Sequence, residues 1–323
     1  MTFHRSFIKL FCMVCSLACV LQCTTARNLA QPLLASGETL IETDIPYRTD
    51  SQNPRHRLDL FRPKNTPQPR GLVVFIHGGF WKNQDRRYYR PLTGLYWNVG
   101  YALARNGYAV AVLSYRIYPE VTIGGELEDV QAALGWAASQ LKALNIEENR
   151  LFVMGHSAGG HLATLAAVMA QADALAGKNP PIPLAGVIAL SPILDVAQMR
   201  KSQPPEFNQD VTDRVFQLDV QADEAEISRA LAPFSPGPRW DATAPPLLVL
   251  TAAKDYPFIR TQAAAFADEH AGARKHPIVV REIAGLDHAG MVLEFDARPS
   301  PLLPVILEFL AALDMAHAVG ADL

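Results

Sequence analysis

A serine, an aspartate and a histidine occur in this chain in contexts that could make them a nucleophile, an orienting acid and a base. Ser157 sits in Gly155-His156-Ser157-Ala158-Gly159, between an apolar run at 151–154 and an Ala/Leu-rich stretch at 160–172. A serine with glycine two residues to either side, at a strand-to-helix joint, reads as a nucleophile elbow. The turn is tight, and side chains at the flanking positions would clash. The hydroxyl is lifted above the sheet edge, and the following helix aims its first N–H groups at a reacting carbonyl. Such a serine needs a base, an acid that orients the base, and donors for an oxyanion, and the chemistry is acyl transfer.

The donors come first along the chain. The apolar run 72–76 reads as a strand buried on both faces, and it ends in His77-Gly78-Gly79-Phe80-Trp81. Paired glycines there let backbone approach a substrate, so the expected oxyanion donors are the N–H groups of Gly79, Phe80 and Ala158, with Gly78 in support. The expected acid is Asp255, just beyond the apolar run 246–252, because open parallel sheets place ligand-handling groups at the carboxyl ends of strands. Asp195, after the run 187–190, is a rival, and Asp287 is a weaker one because it adjoins the candidate base. An aspartate at position 255 could equally cap a helix. The expected base is His288, in Gly285-Leu286-Asp287-His288-Ala289-Gly290, which alone among the histidines follows the acid in a strand-to-helix context. An ordinary imidazole titrates near pH ~6.5 and is available as a base at neutral pH.

These segments, together with Ser114-Tyr115-Arg116 and Gly160-His161, resemble the α/β-hydrolases of the hormone-sensitive-lipase-like and kynurenine-formamidase-like esterase group. The similarity runs from about Asp44 to Leu313. It implies a serine hydrolase with the triad Ser157, Asp255 and His288 and no cofactor. Lipase-like members carry a third glycine where this chain has Phe80, but Phe80 still offers an N–H. The His-Gly-Gly-aromatic-Trp form is closer to formamidases and some carboxylesterases. The resemblance therefore implies a carboxylesterase for small or short-acyl esters, with an aryl-formamide hydrolase as the alternative. A binding protein on a dead hydrolase scaffold is a third reading, and the presence of every triad member argues against it.

The rest of the chain must position these residues. It has 323 residues, 49% of them hydrophobic, enough for a full core in one α/β domain. Net charge is −3 with no basic block, so nothing suggests nucleic acid. No metal-ligand spacing, phosphate loop or dinucleotide fingerprint appears, so the expected partner is a small-molecule ester alone. Residues 38–46 and 57–62 read as an antiparallel hairpin. From residue 72 strands and helices alternate, predicting an α/β-hydrolase fold with a mostly parallel doubly wound sheet. Further strands are expected at 109–114, 151–154, 184–190, 247–252 and 278–283, and helices at 94–106, 127–144, 160–172, 259–271 and 302–316. Residues 196–244 are long, polar and proline-bearing, and read as a cap over the site with a short helix at 223–231. Aromatic residues gather near the motifs, and Trp81 and Phe258 are expected to line the pocket. Arg116 reads as structural, and Glu128 and Asp129 as a solvated helix face.

Residues 1–26 differ in composition. Arg5 and Lys9 precede an apolar run from Leu10 to Leu21, short for a membrane span and suited to an export signal. Residues 27–37 read as a spacer. All four cysteines lie in the leader, and Val20-Leu21-Gln22-Cys23 resembles a lipobox, although Gln22 departs from the usual small residue. Two fates follow: cleavage after Ala26 with release to the periplasm or beyond, or lipidation of Cys23 and tethering to a membrane. Radioactive palmitate separates them. Lipidation predicts a labelled wild type and an unlabelled Cys23→Ser variant, and simple cleavage predicts no label in either.

Overall fold

The computed structural model describes residues 37–88, 94–175, 182–271 and 277–318. The leader, Cys23 and nearly all of the spacer lie outside the described residues. Eight strands form one sheet in the order β1-β2-β4-β3-β5-β6-β7-β8. They are β1 (Thr39–Pro46), β2 (Arg57–Pro63), β3 (Leu72–Ile76), β4 (Ala109–Leu113), β5 (Leu151–His156), β6 (Leu184–Leu190), β7 (Leu247–Lys254) and β8 (Ile278–Asp287). β1 pairs antiparallel with β2, and β2 antiparallel with β4; every other pairing is parallel. This is an α/β-hydrolase fold: a mostly parallel, doubly wound sheet entered through an antiparallel hairpin.

The period-2 geometry of strands explains the layers. Leu72, Val74, Ile76, Leu151, Val153, Leu247 and Val249 turn to one face, and Val73, Phe75, Phe152, Met154, Leu248 and Leu250 to the other. Both sets are buried, so the central strands read as unbroken apolar runs rather than alternating ones. The first face is covered by α2 (Ile123–Gln140), α3 (Ala158–Leu175) and α8 (Pro257–Glu269). The second is covered by α1 (Trp97–Arg105), the short α9 (Gly290–Leu293) and α10 (Leu303–Ala318). No described helix is long and apolar enough to cross a membrane.

Between β6 and β7 the expected insertion folds into α4 (Val196–Ser202), α5 (Pro205–Asp210), α6 (Thr212–Val215), α7 (Glu224–Leu231) and two 3-10 turns, Ala232–Phe234 and Gly237–Arg239. The predicted short helix is α7. Asp223 caps it through a reciprocal capping box, accepting from the Glu226 N–H while the Glu226 carboxylate accepts from the Asp223 N–H. The other helices escaped the sequence reading because each is under two turns and carries little periodicity.

One expectation is corrected here. Glu128 is exposed, but the Asp129 carboxylate is fully buried and is not part of a solvated face. It accepts a two-pronged bond from Arg116 (2.8 Å each) and a bond from Arg48 Nε at 3.1 Å, with His56 Nε2 also 3.1 Å away. Helix α2 starts at Ile123, four residues before the predicted start, and this puts position 129 on its inner side. Arg116 is structural, as expected, and the pair locks α2 to the loop after β4. That loop in turn supports the oxyanion segment. The Tyr115 hydroxyl donates to the His77 carbonyl at 3.1 Å, and the Tyr118 N–H to the Trp81 carbonyl at 2.9 Å. Removing the carboxylate would leave guanidinium groups facing a buried site without their partner. Asp129→Ala should therefore cost about 3–5 kcal/mol in urea unfolding; a loss below ~1 kcal/mol, the scale of a surface pair, would contradict the role assigned to it.

Candidate active site

All the candidate residues lie at the carboxyl ends of parallel strands. His77 follows β3, Ser157 follows β5, Ser191 follows β6, and Asp255 and His288 follow β7 and β8. Ser157 has φ +57°, in the left-handed region that L side chains avoid. Its N–H is held by the Leu190 carbonyl at 2.9 Å, and its own carbonyl accepts from the His161 N–H at 2.9 Å. The glycines beside it are required by space. A Cβ on Gly155 would lie 2.1 Å from the Gly159 carbonyl oxygen, and one on Gly159 would lie 2.2 Å from that of Ile76. No side chain fits at either place, so the elbow can form only with glycine there.

The candidate acid and the candidate base are in contact. His288 Nδ1–H donates to Asp255 Oδ1 at 2.7 Å. The same oxygen accepts from the Tyr256 N–H at 2.9 Å, while Oδ2 accepts from the Ser191 hydroxyl and from the Ala252 N–H at 3.2 Å. Burial alone would raise the pKa of Asp255; the hydrogen bond and charge of His288, with the Ser191 and Ala252 donors, outweigh it and hold the carboxyl below its ordinary value. The rival acids have other work. Asp195 caps α4, accepting from the Gln198 N–H at 2.9 Å, and Asp287 accepts from the Gly290 N–H at 2.8 Å in the turn that starts α9.

The elbow and the base lie side by side: the His156 ring is 4.7 Å from that of His288, and His156 Nε2–H donates to the His288 carbonyl at 2.9 Å. Among the described contacts there is no hydrogen bond from the Ser157 hydroxyl to the His288 imidazole, a link that commonly tightens only when substrate binds.

The oxyanion segment is shaped by three successive positive φ values: +112° at Gly79, +52° at Phe80 and +60° at Trp81. A Cβ on Gly79 would come 2.2 Å from the Asn83 carbonyl oxygen. Gly78 N–H is taken by the Tyr96 hydroxyl at 3.3 Å. Among the described residues no protein group accepts from the N–H of Gly79, Phe80 or Ala158, so all three expected donors remain available.

The pocket expectation needs correction at Trp81. The left-handed backbone turns its indole inward, where it is fully buried against Phe216 and donates to His161 Nδ1 at 3.2 Å. It presents no surface to a ligand. Phe258 is also largely buried and stacks beneath Tyr256, with rings 5.8 Å apart and 12° from parallel. Tyr256 is the exposed member of that pair, and its ring lies 4.7 Å from that of His288. Its adjacency to Asp255 was the available sequence signal. The insertion reaches the same region: Phe207 packs edge-on against Phe80 at 5.5 Å, Lys82 pairs with Asp210 at 2.9 Å, and His161 Nε2–H donates to the Phe234 carbonyl at 2.7 Å. Among the described residues no group of three or more His, Cys, Asp or Glu is placed to hold a metal ion.

The architecture is that of an α/β-hydrolase. Residues 58–269 match the BD-FAE family model, and the chain belongs to that family. It is 26% identical over 273 residues to esterase LipC of Mycobacterium tuberculosis, covering 82% of this chain and 64% of LipC. It is 32% identical over 126 residues to isoprenylcysteine alpha-carbonyl methylesterase of Arabidopsis thaliana, covering 39% of this chain and 28% of that protein. A 32% match over 108 residues, a third of each chain, links it to kynurenine formamidase of Drosophila melanogaster. The match thus spans less than two thirds of each of these relatives. Esterase B of Lactobacillus rhamnosis shares the fold with a TM-score of 0.67 at 22% identity, covering 94% of this chain and 97% of that one.

His77, His156 and His161 are buried at the heart of the site, and burial pushes their pKa values down to about 4, 3 and 4. They stay neutral in the fold, whereas the unfolded chain protonates them below about pH 6.5. Stability is therefore full above that pH and falls as the pH drops toward 4, by up to about 1.4 kcal/mol per pH unit for each histidine. Buried Glu126 works the other way: desolvation pushes its pKa up, so its penalty shrinks as the pH falls toward the ordinary carboxyl range. Three groups outweigh one. Urea midpoints should decrease from pH 7 to 5, and a flat or rising series would contradict neutral burial of these rings.

Proposed function

We propose that this protein is a serine carboxylesterase that cleaves small or short-acyl esters through an acyl-enzyme. The observation that carries the reading is the 2.7 Å bond between Asp255 and His288, set beside a strained elbow serine and three available N–H groups. The esterase relatives and the family membership support the same class.

In the proposed mechanism Ser157 Oγ attacks the substrate carbonyl while His288 Nε2 takes its proton. Asp255 fixes the proton on Nδ1, so that Nε2 faces the serine, and stabilises the imidazolium that forms. The carbonyl oxygen becomes an oxyanion held by the N–H groups of Gly79, Phe80 and Ala158. Collapse of the tetrahedral species expels the alcohol, which receives the proton from His288. Water, deprotonated by the same imidazole, then attacks the acyl-serine and releases the acid. Tyr256 supplies an aromatic wall at the mouth, and Phe80 and Phe207 tie the insertion over the oxyanion loop as a cap.

A second reading, hydrolysis of aryl formamides, is favoured by the partial likeness to kynurenine formamidase. The same catalytic groups serve both. Comparing purified protein on p-nitrophenyl acetate and N-formylkynurenine decides between them. The ester should be the better substrate, and the reverse order would move the protein to the formamidase reading. Ser157→Ala should lower kcat by about a thousandfold or more with its thermal midpoint close to wild type. Retained activity would place the nucleophile elsewhere.

A further inference from the structure

Within the elbow motif, His156 has no part in the mechanism, yet its surroundings are specific. The ring is buried at the meeting point of three segments that are far apart in sequence. Through Nε2 it donates to the backbone carbonyl of His288 at 2.9 Å, and its ring lies 4.7 Å from the His288 imidazole at 44°. The Tyr256 ring also stands 4.7 Å from that imidazole, at 51°. Nδ1 has no hydrogen-bond partner and faces Gly78 of the oxyanion loop, where an added Cβ would lie 3.3 Å from it and 3.0 Å from the His156 carbonyl oxygen.

A carbonyl can only accept, so the bond to residue 288 fixes the proton on Nε2 and leaves Nδ1 bare. A bare, buried Nδ1 costs free energy, of the order of a kcal/mol or more. A leucine of similar size would fill the site without that cost, so the packing alone does not call for histidine.

We infer that His156 is a positioning residue that ties the His288 loop to the nucleophile elbow, so that serine and base are referenced to one stretch of backbone. The inference rests on the proposed roles of Ser157 and His288. Its logic is geometric. His288 directly follows β8, which among the described strands pairs with β7 alone. The Asp255 bond orients the ring and the Lys254–Asp287 pairing holds the preceding residue to β7, but neither refers residue 288 to the elbow on β5. The His156 bond places the backbone of residue 288 relative to residue 157, the covalent neighbour of His156. The ionisable groups facing His156 are His288 and Asp255; burial and the nearby His288 hold its pKa down at about 3, so it adds no positive charge beside the base. A lysine or arginine donor at 156 would add one.

The kinetic test compares His156→Gln, whose amide nitrogen reaches the place of Nε2, with His156→Leu, which fills space without donating. His156→Leu should lose kcat by about tenfold or more with KM within about twofold, and His156→Gln should recover most of that loss. Equal activity of both variants and wild type, equal loss in both, or a loss confined to KM would each overturn the inference. A structural reading of His156 predicts a drop in thermal midpoint that parallels the activity loss in both variants. Nitrogen-15 NMR of the wild-type imidazoles provides a test that needs no variant to fold. The ring of residue 156 should show the Nε2–H tautomer unchanged from about pH 8 to pH 5, and the Nδ1–H tautomer or titration in that range would overturn the inference. If Ser157→Ala retained activity, the proposed function would fail while the tautomer result still reported on the His156 bond itself.

Discussion

The fold of the site depends on a steric constraint at Ser157. Its backbone occupies a left-handed conformation, at a cost of order 1–3 kcal/mol for a residue with a side chain. That conformation is held by hydrogen bonds to Leu190 and from His161, and by the absence of any Cβ at positions 155 and 159. Gly159 packs directly against the carbonyls of Ile76 and His77, so the elbow and the segment that follows β3 are in close contact. The proposed oxyanion donors and the proposed nucleophile therefore lie on two segments that share one close contact. A larger residue at 155 or 159 would disturb both together.

Around this centre the protein uses buried polar contacts as braces. Asp255 has both oxygens occupied, so the imidazole it orients meets a carboxylate with little freedom to rotate. Trp81 joins His161, and His161 joins Phe234 of the insertion; each bond fixes the tautomer needed by the next. Asp129 and Arg116 hold the loop that Tyr115 and Tyr118 extend to the oxyanion segment. Substrate would thus meet a site whose loops are each pinned by at least one bond to a neighbouring element, and this favours stabilising a transition state without reorganisation.

The parts legible in the sequence are those set by local rules. Apolar runs marked the central strands because both faces of the sheet are covered. The glycine spacing marked the elbow because sterics leave no alternative. The acid was harder. Asp255, Asp195 and Asp287 all lie at or just beyond strand ends, and only the three-dimensional placement shows Asp195 capping α4 and Asp287 bracing the turn before α9. Trp81 was misjudged because an aromatic next to a glycine pair gives no sign that a left-handed backbone will turn it inward. Asp129 was misjudged because its partners Arg116, Arg48 and His56 are distant in sequence, and because Gly124-Gly125 hid the first turn of α2. Ser191 and His156 went without roles because their partners lie on other strands, and no periodicity reports a contact of that kind.

The central claim is that the hydroxyl of Ser157 is activated by His288 within this frame. Its most direct measurement is covalent trapping with a fluorophosphonate, followed by peptide mass spectrometry of the folded protein. The account predicts a single adduct on Ser157, with labelling slowed by about a hundredfold or more in His288→Ala. An adduct on another residue, or labelling of Ser157 at an unchanged rate without His288, would contradict it.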